Sequence, residues 1–235
     1  LSLVGSEMCI RDRQKARHGL VPVMSLDHSP VECELQDYYA GDWVDALDEL
    51  KLSIDERRVI ANSGAYALGR KTDELIIGAL SQAGSANDVG DYAEVMGKKD
   101  ILDAFARLNE NDVPDDGQRF GLVGPHQWNA LLNIQEFSNS DYAGDNLPFL
   151  KGTESRKWLG INWIMHTGLP LNGTSRDCFI FHKTAVGHAC GQEVKSDISW
   201  HGDHAAHFVN NMMSQGACLI DETGVVRIKC KEASI

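Results

Sequence analysis

His201, His204 and His207, in the run HGDHAAH, are the side chains of this sequence best equipped for chemistry. Three imidazoles on one ion would let it polarise a carbonyl or activate a water. The spacing argues against a ready-made site. At i, i+3 and i+6 the rings spread over about 120° of a helix with 3.6 residues per turn. The metalloprotease pattern needs histidines at i and i+4, with a glutamate beside the first. A loop could still gather them, so a metal-dependent soluble enzyme stands as a rival reading. Free Cys190 follows His188 by two residues, but no third group is in sequence to orient the pair. Glu32/Glu34 and Asp48/Glu49 could act as acid–base dyads, yet nothing isolates them from water. Asn172-Gly173-Thr174 matches a glycosylation acceptor, a pattern that means something only in a secreted protein. The sequence holds no G-x-S-x-G elbow, no S-x-x-K and no glycine-rich phosphate loop. No catalytic residue, cofactor or metal is therefore expected.

The elements around these residues are those of one large domain or two small ones in 235 residues. The apolar share of 43% and charged share of 24% read as globular. No apolar run approaches the roughly 18 residues of a membrane helix, so a soluble, unexported chain is expected. The net charge is −12. Ten acids from Asp27 to Glu56 face only Lys51, a local −9. Such a face repels phosphate backbones and suits a basic protein surface instead. Six cysteines without a C-x-x-C pair argue against zinc ribbons and suggest reduced, packed thiols.

Strands are expected at Leu20 to Leu26 and Val31 to Tyr39, joined by the turn Asp27-His28-Ser29-Pro30 into an acidic hairpin. Ser53 with Glu56 has the form of a capping box. It opens a helix from Ile54 to about Ser81, whose middle is crowded with Ala61, Ser63, Gly64, Ala65, Ala67 and Gly69. These small residues admit close approach of another backbone. Residues 82–90 read as a linker. A short helix follows from Asp100 to Asn109 with Ile101, Leu102, Phe105 and Leu108 on one side. Arg119 to Val123 is a buried strand, and Gly124-Pro125 starts a helix burying Trp128, Leu131 and Leu132. One strand is expected from Trp158 onward, another at Cys178 to His182, and a closing hairpin from Ala217–Ile220 and Val225–Ile228. Helices and strands mix without βαβ regularity, so the fold class is α+β.

The segment DYYAGDWVDALDELKLSIDERRVIANSGAYALGRKTDELIIGAL resembles the central block of a tailed-phage major capsid protein, and FSNSDYAG, WLGINWIMHTGLP, CFIFHKTAVGHACG and NNMMSQGACLIDETGVVRIKCKEA continue the likeness over roughly residues 17 to 235. The resemblance implies the Hong Kong ninety-seven capsid fold, with an extended β-hairpin loop, a long spine helix, and peripheral and axial domains. It implies a remnant arm and loop at 14–51, the spine helix at 52–82, a mainly axial region at 83–195, and a terminal segment returning to the peripheral domain at 196–235. It implies a virion protein, assembled in the host cytoplasm, that joins copies of itself into pentamers and hexamers around double-stranded DNA. Scaffold, portal and decoration proteins are the further partners it admits, with no membrane. Subunit-contact candidates are Asp27, His28, Ser29, Pro30, Glu32, Glu34, Arg57, Arg58 and Arg70, with Arg119, Arg156, Lys157, Arg227 and Lys229 as further cations for the acidic face. A different virion structural protein is the remaining alternative.

The opening peptide LSLVGSEMCIRDR stands apart, for its apolar residues keep no period. Leu3 to Arg13 back-translates to codons that resemble a transposase-type sequencing-library adapter. Residues 1–13 are accordingly expected to be adapter-derived and disordered, fused to a reading frame shortened at its start. Sequencing the source DNA across codons 1 to 20 checks this: adapter codons are the expected result, and unrelated codons for the same peptide end the idea.

Overall fold

The computed structural model describes residues 2–5, 17, 29–49, 51, 54–134, 137 and 156–232. The long helix read from apolar spacing is present as α2 (Glu56–Ser81), 26 residues and about 39 Å at 1.5 Å per residue. It begins later than the capping box suggested. Asp55 occupies the cap, its carboxylate accepting from the Arg58 amide at 3.2 Å, while Ser53 lies outside the described residues.

Before α2 come β1 (Ser2–Gly5), β2 (Ser29–Glu32), β3 (Gln36–Asp45) and α1 (Ala46–Glu49). After it come β4 (Val89–Val95), α3 (Lys98–Glu110), β5 (Arg119–Val123), α4 (Pro125–Leu132), β6 (Arg156–Trp158), β7 (Ile161–Met165), β8 (Leu171–Asn172), β9 (Ser175–His182), β10 (Val186–His201), β11 (Ala206–Leu219) and β12 (Val225–Lys231). The architecture is α+β, as the element pattern indicated.

Among the described residues, 32–78 and 187–218 form one compact unit, and 79–186 with 219–232 form another. In the first, a three-stranded sheet of order β10-β11-β3 carries α2. β11 and β3 pair antiparallel from Ala206↔Asp45 to Gln215↔Gln36. The helix sits close because Gly64 has no side chain. A Cβ there would lie 2.1 Å from Asn211 Nδ2 and 3.2 Å from the Ala40 carbonyl. Gly69, also in the small-residue run, faces open space.

The second unit is built on a seven-stranded sheet of order β4-β12-β9-β5-β7-β6, with β8 attached to β9. β5 lies between antiparallel β9 and parallel β7, which explains its buried alternation. Its Arg119 is 1% exposed. Nε donates to the Pro114 carbonyl at 3.1 Å and Nη2 to Asn109 Oδ1 at 2.9 Å, with the guanidinium 5.5 Å from the Phe105 ring centre. α3 buries Ile101, Ala104 and Leu108. Arg227 Nη2 donates to the Ser81 and Ala83 carbonyls at 3.0 and 2.7 Å, giving the end of α2 the cation its own last turn lacks.

Several expectations change. Ser2–Gly5 form a strand paired with β2, while residues 6–16 lie outside the described set. The expected strand at Leu20 to Leu26, with Asp27 and His28, also lies outside it. The expected strand from Val31 to Tyr39 is interrupted at residues 33–35, and Ser29 and Pro30 belong to β2 instead of a turn. Leu102 is 41% exposed, because the buried stripe of α3 runs through Ala104. The single strand from Trp158 is a hairpin, with Leu159 and Gly160 at φ 54 and 73 between β6 and β7. The closing hairpin does not form. β11 pairs with β3, whereas β12 pairs with β9 and β4. Among the described residues, 187–195 fall in the first unit and 219–232 in the second.

Gly64→Ala should cost about 1–3 kcal/mol, since the new methyl meets a packed amide. Gly69→Ala should gain about 0.5–1 kcal/mol from helix propensity alone. Urea unfolding midpoints at unchanged m-value read both.

Candidate assembly surface

β10 and β11 form a long hairpin closed by residues 202–205, with Ala205 at φ 48 in the turn. The three histidines sit at this end, but they do not converge. Trp43 of β3 stands between two of them, its ring centre 5.2 Å from His201 and 4.5 Å from His204. Phe208 completes the cluster at 4.7 Å from Trp43 and lies over Gly41, where a Cβ would be 2.7 Å from its Cζ. His207 stacks separately against Trp200 at 4.9 Å. The rings pack on two different tryptophans, and no group of three ligating side chains suited to a metal occurs among the described residues. An acidic hollow of about 270 Å³ adjoins the cluster, lined by Trp43, Asp45, Asp48, Glu56, His204 and Ala206.

The His188–Cys190 pair is separated by Gln215, whose Oε1 lies 3.2 Å from His188 Nε2 and whose Nε2 lies 3.9 Å from Cys190 Sγ. Gln215 Oε1 also accepts from Thr72 of α2 at 2.7 Å. The imidazole is thus part of the contact between helix and sheet and does not activate the thiol. The acid pairs are distributed likewise. Asp48 binds Lys51 at 2.7 Å, a hydrogen bond that raises the Lys51 pKa, and Glu49 binds Arg57 at 2.7 Å.

Of the contact candidates, Asp27 and His28 lie outside the described residues, and Ser29, Pro30 and Glu32 lie on β2. Glu34 is exposed between β2 and β3, while Arg58 and Arg70 are exposed on α2. Three candidate cations are held within the second unit. Arg119 is buried, and Arg227 and Lys229 flank Asp88 at 3.8 and 2.7 Å. The sequence reading missed the longest strand of the first unit, the outer strand β10. Every residue from Cys190 to Ile198 is exposed, so no apolar face alternates to betray a strand. The β-branched Val194 and Ile198 ahead of Gly202-Asp203 were the available signal.

Among the described residues the arrangement offers rings, carboxylates and a sheet edge on a surface. A family model described as phage capsid protein matches residues 5–232. The chain belongs to the phage capsid protein family. It is a structural major capsid protein, and family and fold imply a non-enzymatic role as a virion component that assembles with its own copies. No curated protein matches its sequence. The capsid of cyanophage P-SCSP1u shares its fold at TM-score 0.75 and 15% identity, over 99% of this chain and 84% of that one. A structure of Mycobacterium phage Che8 gives 0.70 at 17% identity, over 97% and 83%. The SrpI encapsulin of Synechococcus elongatus gives 0.63 at 11% identity, over 89% and 79%. The fold of this capsid chain is the Hong Kong ninety-seven type. No helix among the described residues is long and apolar enough to cross a membrane.

Cys33, Cys178, Cys218 and Cys230 are buried, and Cys190 is exposed. The hydrogen bond with the neighbouring Cys230, and then burial, push the Cys178 thiol well up. Among these five, an aromatic disulfide reagent should modify Cys190 at once in the native protein. The other four should react only on unfolding, as mass spectrometry of digested, labelled protein will read.

Proposed function

We propose that this capsid protein builds the closed icosahedral head shell of a tailed phage, as pentamers and hexamers enclosing double-stranded DNA. The observation that carries the reading is a helix-on-sheet unit with exposed edges, in a chain that capsid subunits match over nearly its whole length. We assign residues 32–78 and 187–218 to the peripheral domain and 79–186 with 219–232 to the axial domain that surrounds five-fold and six-fold positions. The region 14–31 serves as arm and extended loop over a neighbouring subunit, with Asp27, His28, Ser29 and Pro30, and the adjoining Glu32 and Glu34, against cations such as Arg58 and Arg70, while β3 stays in the sheet of its own chain. Scaffold, portal and decoration proteins join the shell, and assembly takes place in the host cytoplasm.

Energetically the reading needs no single strong contact. A stable pairwise interface buries on the order of 1,600 Å², but a shell subunit touches several neighbours at once, and each contact raises the effective concentration for the next. The acidic face sets register and approach more than affinity. A surface of net charge −12 also leaves packaged DNA without strong local binding.

Electron microscopy of the expressed protein should show round shells of uniform size, with a yield that changes between low and high salt as exposed charge pairs are screened. Discrete small oligomers, or a yield indifferent to salt, would count against the proposal.

A further inference from the structure

β10 ends the sheet β10-β11-β3, and among the described residues no strand pairs with its outer side. From Gln192 to Trp200 it reads QEVKSDISW, with Val194 at 37%, Ile198 at 47% and Trp200 at 53% exposure. Glu193, Lys195 and Asp197 are exposed, and no ion pair engages them among the described residues. A long edge with apolar side chains and free charges is a template for another strand.

We propose that β10 pairs antiparallel with β10 of a second copy of this chain, about a two-fold axis at Ser196 and perpendicular to the sheet. Such an axis keeps each residue on its own face of the joined sheet. In this register Lys195 lies opposite Asp197 twice, and Val194 lies opposite Ile198 twice. Glu193 meets Ser199 and Gln192 meets Trp200, so no like charges oppose one another. Ser196 at the centre points inward, its hydroxyl donating to Asn211 Oδ1, so the axis leaves that bond intact. Centring on Lys195 would oppose Lys195 to itself and Glu193 to Asp197. Centring on Val194 pairs Lys195 with Glu193 but leaves Ile198 against Cys190. The contact is isologous, the symmetry commonest between identical chains, and it extends the capsid reading by naming one of the surfaces through which copies join.

The test uses the full chain. Lys195→Asp and Asp197→Lys, each alone, put two like-charge pairs at the centre and should weaken self-association in sedimentation velocity by roughly tenfold. The two together restore the pairing with its signs exchanged, and should return association to within about twofold of the parent. In the Val194-centred register the double variant stays as weak as Lys195→Asp. A second measurement uses Lys195→Cys with Asp197→Cys in a Cys190→Ser background. Oxidised glutathione should then join Cys thiols across the axis, two thiols losing two protons and two electrons to the glutathione disulfide to give a covalent dimer. Association unaffected by the single reversals, or strengthened by Lys195→Asp as expected if that lysine only guards the edge, overturns the proposal. A double variant no better than the singles, or no covalent dimer, does so as well. Shells that form normally from the single-reversal chains would remove this contact while leaving the shell-forming role in place.

Discussion

The close approach of α2 to its sheet at Gly64 is the constraint on which the first unit depends. Beneath it lies Asn211, fully buried, whose Nδ2 donates to the Ala40 carbonyl at 3.1 Å and whose Oδ1 accepts from Ser196. One amide thus ties β3, β11 and β10 together directly under the helix backbone. A buried amide left unpaired costs on the order of 1–3 kcal/mol, so sliding either strand is penalised by lost hydrogen bonds as well as lost burial. Thr72 and Gln215 repeat the arrangement two turns along α2. The helix and sheet are therefore held in one register by polar contacts inside an apolar seam, and among the described residues β10 is the outer strand.

The second unit uses its buried cations differently. Arg119 is surrounded by carbonyl oxygens and an aromatic ring, and it fixes the turn before β5. Arg227 closes the end of α2, and with Lys229 it shares Asp88. Each cation committed to the interior is unavailable to offset the surface acids.

The candidate chemistry read from spacing dissolves in the tertiary structure for a simple reason. Local spacing says which side chains are near in sequence, whereas Trp43 arrives between His201 and His204 from β3, and Trp200 of β10 meets His207 across the hairpin. Gln215 comes between His188 and Cys190 in the same way, from the neighbouring strand. The alternation of β11 was hidden because two of its inward positions are Asn211 and Gln215, polar residues that a hydropathy pattern assigns to water.

What the sequence determined by itself is whatever depends on neighbours a few residues away: the span of α2 to Ser81, the Pro-initiated α4, strand β5, the acidic surface and the small-residue stretch that lets a backbone approach. The resemblance of its ordered motifs to tailed-phage coat proteins was legible too, and the family match agrees with it. Only the tertiary structure decided that β12 leaves β11 for β9, that from residue 32 onward the chain crosses between two units three times, and that among the described residues β10 is an edge. Strand partners are chosen by contacts between residues far apart in the chain, and those contacts leave no local period in the sequence to read.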